Sequence, residues 1–155
     1  MNKSQVREAI VELLESQLLH AQEAANQAHD LATHEQSVAE TQYDTVGLEA
    51  SYLAQGQSQR VIELQAMLQW YRNLVLPDGL TKIQVNALLT LESATSDTIH
   101  LFVGAQGGGL EVVVEGSAVM VISLEAPLSK LLLGLEEGDD VNLPNKGVYE
   151  IAHIS

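Results

Sequence analysis

Cysteine is absent from this chain of 155 residues. Disulfides, thiol catalysis and cysteine-based metal sites are excluded together. Aromatic residues make up 4% of a chain that is 46% hydrophobic, so its cores must be built from Leu, Val, Ile and Ala. Basic residues number 7 against 21 acidic ones, a net charge of −14. Phosphate contacts need clustered Lys and Arg, so independent binding to DNA or RNA is excluded. The acidity permits docking onto a basic protein surface or delivery of carboxylates to a metal, beside plain solubility. No apolar run approaches ~18 residues, and Met1–Glu8 contains no apolar signal core, which implies no membrane span and a soluble cytoplasmic protein.

What the chain does have is a helical rhythm over residues 4 to 75. Ile10, Leu14, Leu18, Ala21, Ala25, Ala28 and Ala32 recur at steps of four and three, as an a/d seam does. Ala50, Leu53, Gln57, Val61, Leu64, Leu68 and Tyr71 give the seam of a second arm, which Gly47 and Gly56 each weaken by about 1 kcal/mol. The rhythm lapses from His34 to Thr45, where the turn is placed. Each arm of this antiparallel hairpin then runs roughly 45 Å at 1.5 Å per residue. No Lys or Arg occurs between Arg7 and Arg60, so the acids of that interval forgo the ion pairs a solvated helix normally makes.

Leu76-Pro77-Asp78-Gly79 breaks the second arm and opens a linker, 77–84. Four short apolar or alternating runs follow, Val85–Leu91, Thr98–Gly104, Leu110–Val114 and Val119–Ile122, with two more at Val141–Leu143 and Tyr149–Ile151. Gly107-Gly108-Gly109 lacks a following Lys-Ser/Thr and reads as a hairpin turn rather than a phosphate loop. Between the strands, Pro127 suits a first helical turn. Leu128, Leu131, Leu132 and Leu135 recur at helical spacing, and Gly134 supplies the positive φ that ends the helix.

Pro127, Leu128, Leu131, Gly134, Gly138 and Asp139 stand at the spacing of a hallmark close to Ser-Pro-Leu-Gly-x-x-Leu-x-Gly-x-x-x-Gly-Asp. In this the chain resembles the Gre family of bacterial transcript-cleavage factors, over both halves: hairpin, linker and β-domain. Ala126 replaces the Ser and Ser129 the Gly. Losing that Ser removes an N-cap worth about 1 kcal/mol unless Ser123 caps from further back. The resemblance implies an α+β chain. Residues 1–76 form a coiled-coil hairpin with its tip near 34–45, and 85–155 form an FKBP-like antiparallel β-domain with one short helix.

The resemblance also implies a partner and a mechanism. The C-terminal domain docks on bacterial RNA polymerase through Pro127, Leu128, Leu131 and Leu135, and the hairpin enters the secondary channel. Tip carboxylates then help hold a second Mg²⁺ at the polymerase active site, which cleaves backtracked RNA; the chain has no cofactor of its own and is not itself an enzyme. The family's tip, close to Gly-Asp-x-Ser-Glu-Asn-x-x-Tyr, is met only by Glu40 and Tyr43, with a one-residue gap; Ser37 stands where its Asp belongs. The candidate tip acids are Glu35, Glu40 and Asp44, with Glu40 and Asp44 on one face of a helix. The alternatives are a Gre-like regulator that occupies the channel without cleaving, and a structural coiled-coil dimer; a monomer is favoured. Prolyl isomerase activity is disfavoured, because from Lys82 onward only Phe102 and Tyr149 are aromatic. The five histidines include no i,i+4 pair for zinc, although His34 beside Glu35 could meet a metal.

Overall fold

The computed structural model describes residues 1–33 and 46–155. Helices α1 (Lys3–Thr33) and α2 (Val46–Asn73) are followed by strands β1 (Leu88–Ser93), β2 (Thr98–Gly104), β3 (Glu111–Val114) and β4 (Ser117–Ser123). Helix α3 (Pro127–Leu132) and strands β5 (Asp140–Leu143) and β6 (Gly147–Ile154) complete an α+β chain. It divides into two compact units, Val11–Arg72 alone and Met1–Ile10 together with Asn73–Ser155.

In the helical unit Glu15 pairs with the guanidinium of Arg72, while Gln22, Ala25 and Asn26 share a hollow with Ser58, Val61 and Ile62. Early residues of one helix thus face late residues of the other, and the arms run antiparallel. Leu14, Ala21 and Ala28 of α1 are buried, and so are Ala50, Ala54, Leu64, Leu68 and Tyr71 of α2. The second seam departs from the sequence reading at one place: Leu53 is 54% exposed and Ala54 takes its inward position. Steps of four and three from Ala50 through Ala54, Gln57, Val61, Leu64, Leu68 and Tyr71 are then unbroken, so helical phase overrides the larger apolar side chain. Tyr71 meets Trp70 edge to face, with ring centroids 4.8 Å apart.

In the other unit six strands form one sheet in the order β3-β4-β2-β1-β6-β5. The sheet is mixed rather than purely antiparallel, because β4 lies parallel to β2, with Leu101 opposite Met120 and Val103 opposite Ile122. The three glycines 107–109 therefore do not close a hairpin. They lie in the connection from β2 to β3, and β4 fills the slot between those strands. Spanning two strand spacings takes about 10 Å, which that connection can cross. Gly109 donates to the Val121 carbonyl at 2.8 Å, and Gly108 leaves no room for a side chain: a Cβ would sit 2.9 Å from Ser123 Cβ. The tight hairpin falls later, at Glu115-Gly116, whose φ of 52° and 81° make the twisted two-residue turn that suits paired strands.

One face of the sheet carries the main core, built from Leu89, Leu91, Leu101, Val103, Ile122, Val141, Tyr149 and Ile151 with Leu132 of α3. Ile83 belongs to the same cluster, and Lys82 bridges to Glu136. The segment read as a linker is thus held as an added edge of this unit. The first ten residues also group here. The Met1 ammonium lies 3.1 Å from Glu115, Gln5 donates to the same carboxylate at 3.1 Å, and the buried Lys3 donates to the Pro77 carbonyl. Burial lowers the Lys3 pKa, opposed by the nearby Asp78.

Candidate functional site

The segment from Ser123 to Asp139 is held by bonds within itself and by bonds to distant residues, and Gly134, Gly138 and Asp139 of the hallmark make three of them. Pro127 opens α3, where its missing N–H is not needed. Ala126 is the N-cap and makes no side-chain cap, and Ser123 does not replace it; Ser123 contributes its carbonyl, which accepts the Ala126 N–H at 3.1 Å. The Ser129 hydroxyl donates to that same carbonyl. Ser129 is fully buried, so this substitution for glycine is accommodated by giving its hydroxyl a partner. Gly134, with φ of 84°, donates to the Ile83 carbonyl at 2.8 Å, and Ile83 donates to Leu135 at 2.8 Å. Gly138, with φ of 88°, donates to Ile151 at 2.9 Å. Asp139 accepts the Glu136 N–H at 2.8 Å.

The four expected docking residues separate. Leu128 and Leu135 are partly buried against the core, and Leu132 is fully buried, whereas Pro127 and Leu131 face outward. The exposed leucines in and around the helix are Leu131, Leu133 and Leu124, at 45%, 38% and 36% exposure.

Beside α3 lies a groove of about 380 Å³ that single-residue patterns did not reveal. Ile99 and Leu101 of β2, Ala118 and Met120 of β4, Leu128 of α3, and Leu143 with Pro144 line it. Glu111 and Lys146 are the charged members of its lining. The signal available in the sequence was Met120, an apolar residue between the fully buried Val119 and Val121 and hence on the opposite face. The groove offers one open apolar surface, continuous at Leu128 with α3. Thr98 and His100 complete the lining, and with apolar side chains predominating its chemistry is that of a seat for apolar groups.

Glu35, Glu40 and Asp44, and His34 with them, lie outside the described residues. Among the described residues no group of three His, Asp or Glu is placed to hold a metal ion, and no helix is long and apolar enough to cross a membrane. His153 pairs with Glu137 at 2.9 Å, and His100 with the Thr90 hydroxyl at 3.2 Å.

No protein-family model and no curated protein matches the chain. Among solved structures it is similar to the crystal structure of GreA factor homolog 1 (Gfh1) of Thermus thermophilus, at 24% identity and a TM-score of 0.38, over 94% of both chains. A structure described as the transcription factor Gfh1 is 20% identical with a TM-score of 0.40, covering 94% of this chain and 93% of its own. Gfh1 of Thermus aquaticus is 24% identical with a TM-score of 0.38, over 95% and 94% of the two chains.

Proposed function

We propose that this chain is a Gre-type transcription elongation factor that binds bacterial RNA polymerase in the secondary channel and modulates cleavage of backtracked RNA. The observation that carries the reading is the Pro127–Asp139 segment. Six hallmark residues stand there at the family's spacing; Pro127 begins the helix, Gly134 and Gly138 turn the chain with positive φ, and Asp139 ties the following turn. The apolar groove that reaches this segment at Leu128 supports its use as the docking face, and Pro127 and Leu131 are exposed on the same helix.

The antiparallel arms support a lever. No Lys or Arg stands among its acids between Arg7 and Arg60, and Glu15 takes its cation, Arg72, from outside that interval. Glu35, Glu40 and Asp44 are hard oxygen donors of the kind Mg²⁺ takes. A second Mg²⁺ in the polymerase would stabilise the attacking and leaving oxygens of an in-line displacement. This chain's part is to bring carboxylates to that place. Ser37, where the family's tip has Asp, favours the second reading: the chain occupies the channel and regulates without full cleavage.

The test is capture by purified bacterial RNA polymerase, followed by a cleavage assay on a stalled complex. Capture is expected in either reading. Mg²⁺-dependent cleavage that is lost in Glu40→Ala and Asp44→Ala, with capture kept, selects the first; capture without cleavage selects the second. No capture at all overturns both.

A further inference from the structure

We propose that Met120 is an oxidation site whose conversion to the sulfoxide disables the groove; the consequence for polymerase rests on the docking function proposed above. Without cysteine, the thioethers of Met1, Met67 and Met120 are the chain's only sulfurs. Met67 is half-buried in α2 and Met1 is distant in sequence from the groove lining. Met120 is 43% exposed in the middle of β4 and lines the groove, with Leu101 and Glu111 as its cross-strand neighbours.

The chemistry needs a peroxide. The thioether lone pair attacks the O–O bond, sulfur is oxidised by two electrons to S=O, and the second peroxide oxygen leaves as water. The product is a polar, acceptor-only group, reversible by enzymatic reduction. Its cross-strand neighbours are Leu101 and Glu111, and the donors of the lining are Thr98, His100 and Lys146. Covering the groove would then bury a strong dipole among Ile99, Leu101, Ala118 and Leu128, where the native thioether packs as an apolar group.

The full chain is treated with hydrogen peroxide, its oxidised methionines are mapped by peptide mass spectrometry, and circular dichroism checks the fold. Met120 is expected to oxidise before Met67, with the fold kept. Treated wild type is expected to show about a tenth of the untreated polymerase capture. In Met120→Leu the ratio of treated to untreated capture stays near one, whatever its starting level. Emission of anilinonaphthalene sulfonate, an apolar fluorescent probe, is read in parallel and is expected to fall on oxidation of wild type only. A Met120 that resists peroxide in the folded chain overturns the proposal, as do equal losses in wild type and Met120→Leu. If untreated protein is not captured, the polymerase function fails, and the oxidation order and probe emission still decide the site.

Discussion

The Oδ2 atom of Asp139 accepts the backbone N–H of Glu136 at 2.8 Å, and the Asp139 N–H returns a bond to the Glu136 carbonyl at 3.1 Å. The side chain thereby satisfies a turn amide just before β5. Asp139→Ala is expected to lower the stability of this unit by about 1 kcal/mol in urea unfolding, and Asp139→Asn, which keeps an acceptor, to recover most of it. Equal losses in both would mean that the bond is not what Asp139 contributes.

The phase of the α2 seam is open to a direct comparison. Leu64 is buried and Leu53 is exposed, though both are leucines on one helix. Leu64→Ala is expected to cost about 2–5 kcal/mol, and Leu53→Ala about 0.5 kcal/mol or less. Thermal unfolding of the two variants measures this; a large loss at Leu53 would restore the seam read from sequence.

Gly108 is confined by its neighbour rather than by its own backbone. Alanine there would bring Cβ within 2.9 Å of Ser123 Cβ and 3.1 Å of the Ser123 backbone nitrogen. Gly108→Ala is expected to cost about 1–3 kcal/mol through displacement of β4. Wild-type stability in that variant would show that the β2–β3 connection lies further from β4.

Acid pH should expose a contribution from Glu137. The Ile154 N–H, donated at 2.8 Å, holds this carboxyl below its usual pKa, and His153 adds to the effect. A carboxylate whose folded pKa is lowered stabilises fully above its unfolded value, ~4.3, and that stabilisation is lost as pH falls through the folded value. Urea midpoints measured from pH 7 to pH 3 are expected to fall less steeply in Glu137→Gln than in wild type. Parallel curves would assign the acid limb to other carboxylates, Glu115 among them, whose pKa the Met1 ammonium and Gln5 lower.

Docking and stability should come apart within α3. Leu131 is 45% exposed and Leu132 is fully buried, one residue further on. Leu131→Ala is expected to weaken polymerase capture while changing stability by about 0.5 kcal/mol or less. Leu132→Ala is expected to cost about 2–5 kcal/mol. Unchanged capture in Leu131→Ala, Leu133→Ala and Leu124→Ala would move the contact away from this helix.

Much of the architecture was legible because it rests on local rules. Heptad spacing marked both arms, alternation marked six strands near their observed places, and Pro127, Gly134 and Gly138 punctuated the α3 segment as their backbone chemistry requires. The errors came where a long-range choice decides. Ala54 outranks Leu53 because position on the helix, not side-chain size, selects what faces the other arm. The glycines 107–109 mark a change of direction but not which strand will stand beside which, and β4 took the place next to β2. Residues 82–83 carry no strand pattern, and their bonds to Gly134, Leu135 and Glu136 come from folding across some fifty residues. The groove was invisible for the same reason, since its lining is drawn from β2, β3, β4, α3, β5 and the β5–β6 turn.

The placement of β6 has a consequence for how the molecule is made. It is the last strand in sequence, yet it stands inside the sheet, pairing with β1 on one side and β5 on the other. During synthesis β1 and β2 can pair early, and β3 with β4, whereas β1 keeps an open edge and β5 has no neighbour until residues 147–154 leave the ribosome. Helices α1 and α2 pair within the first half of the chain, and although Gln5 of α1 later meets Glu115, the two helices are free to associate long before. A nascent chain stalled before Gly147 would therefore display a formed helical pair beside an unfinished, adhesive sheet edge.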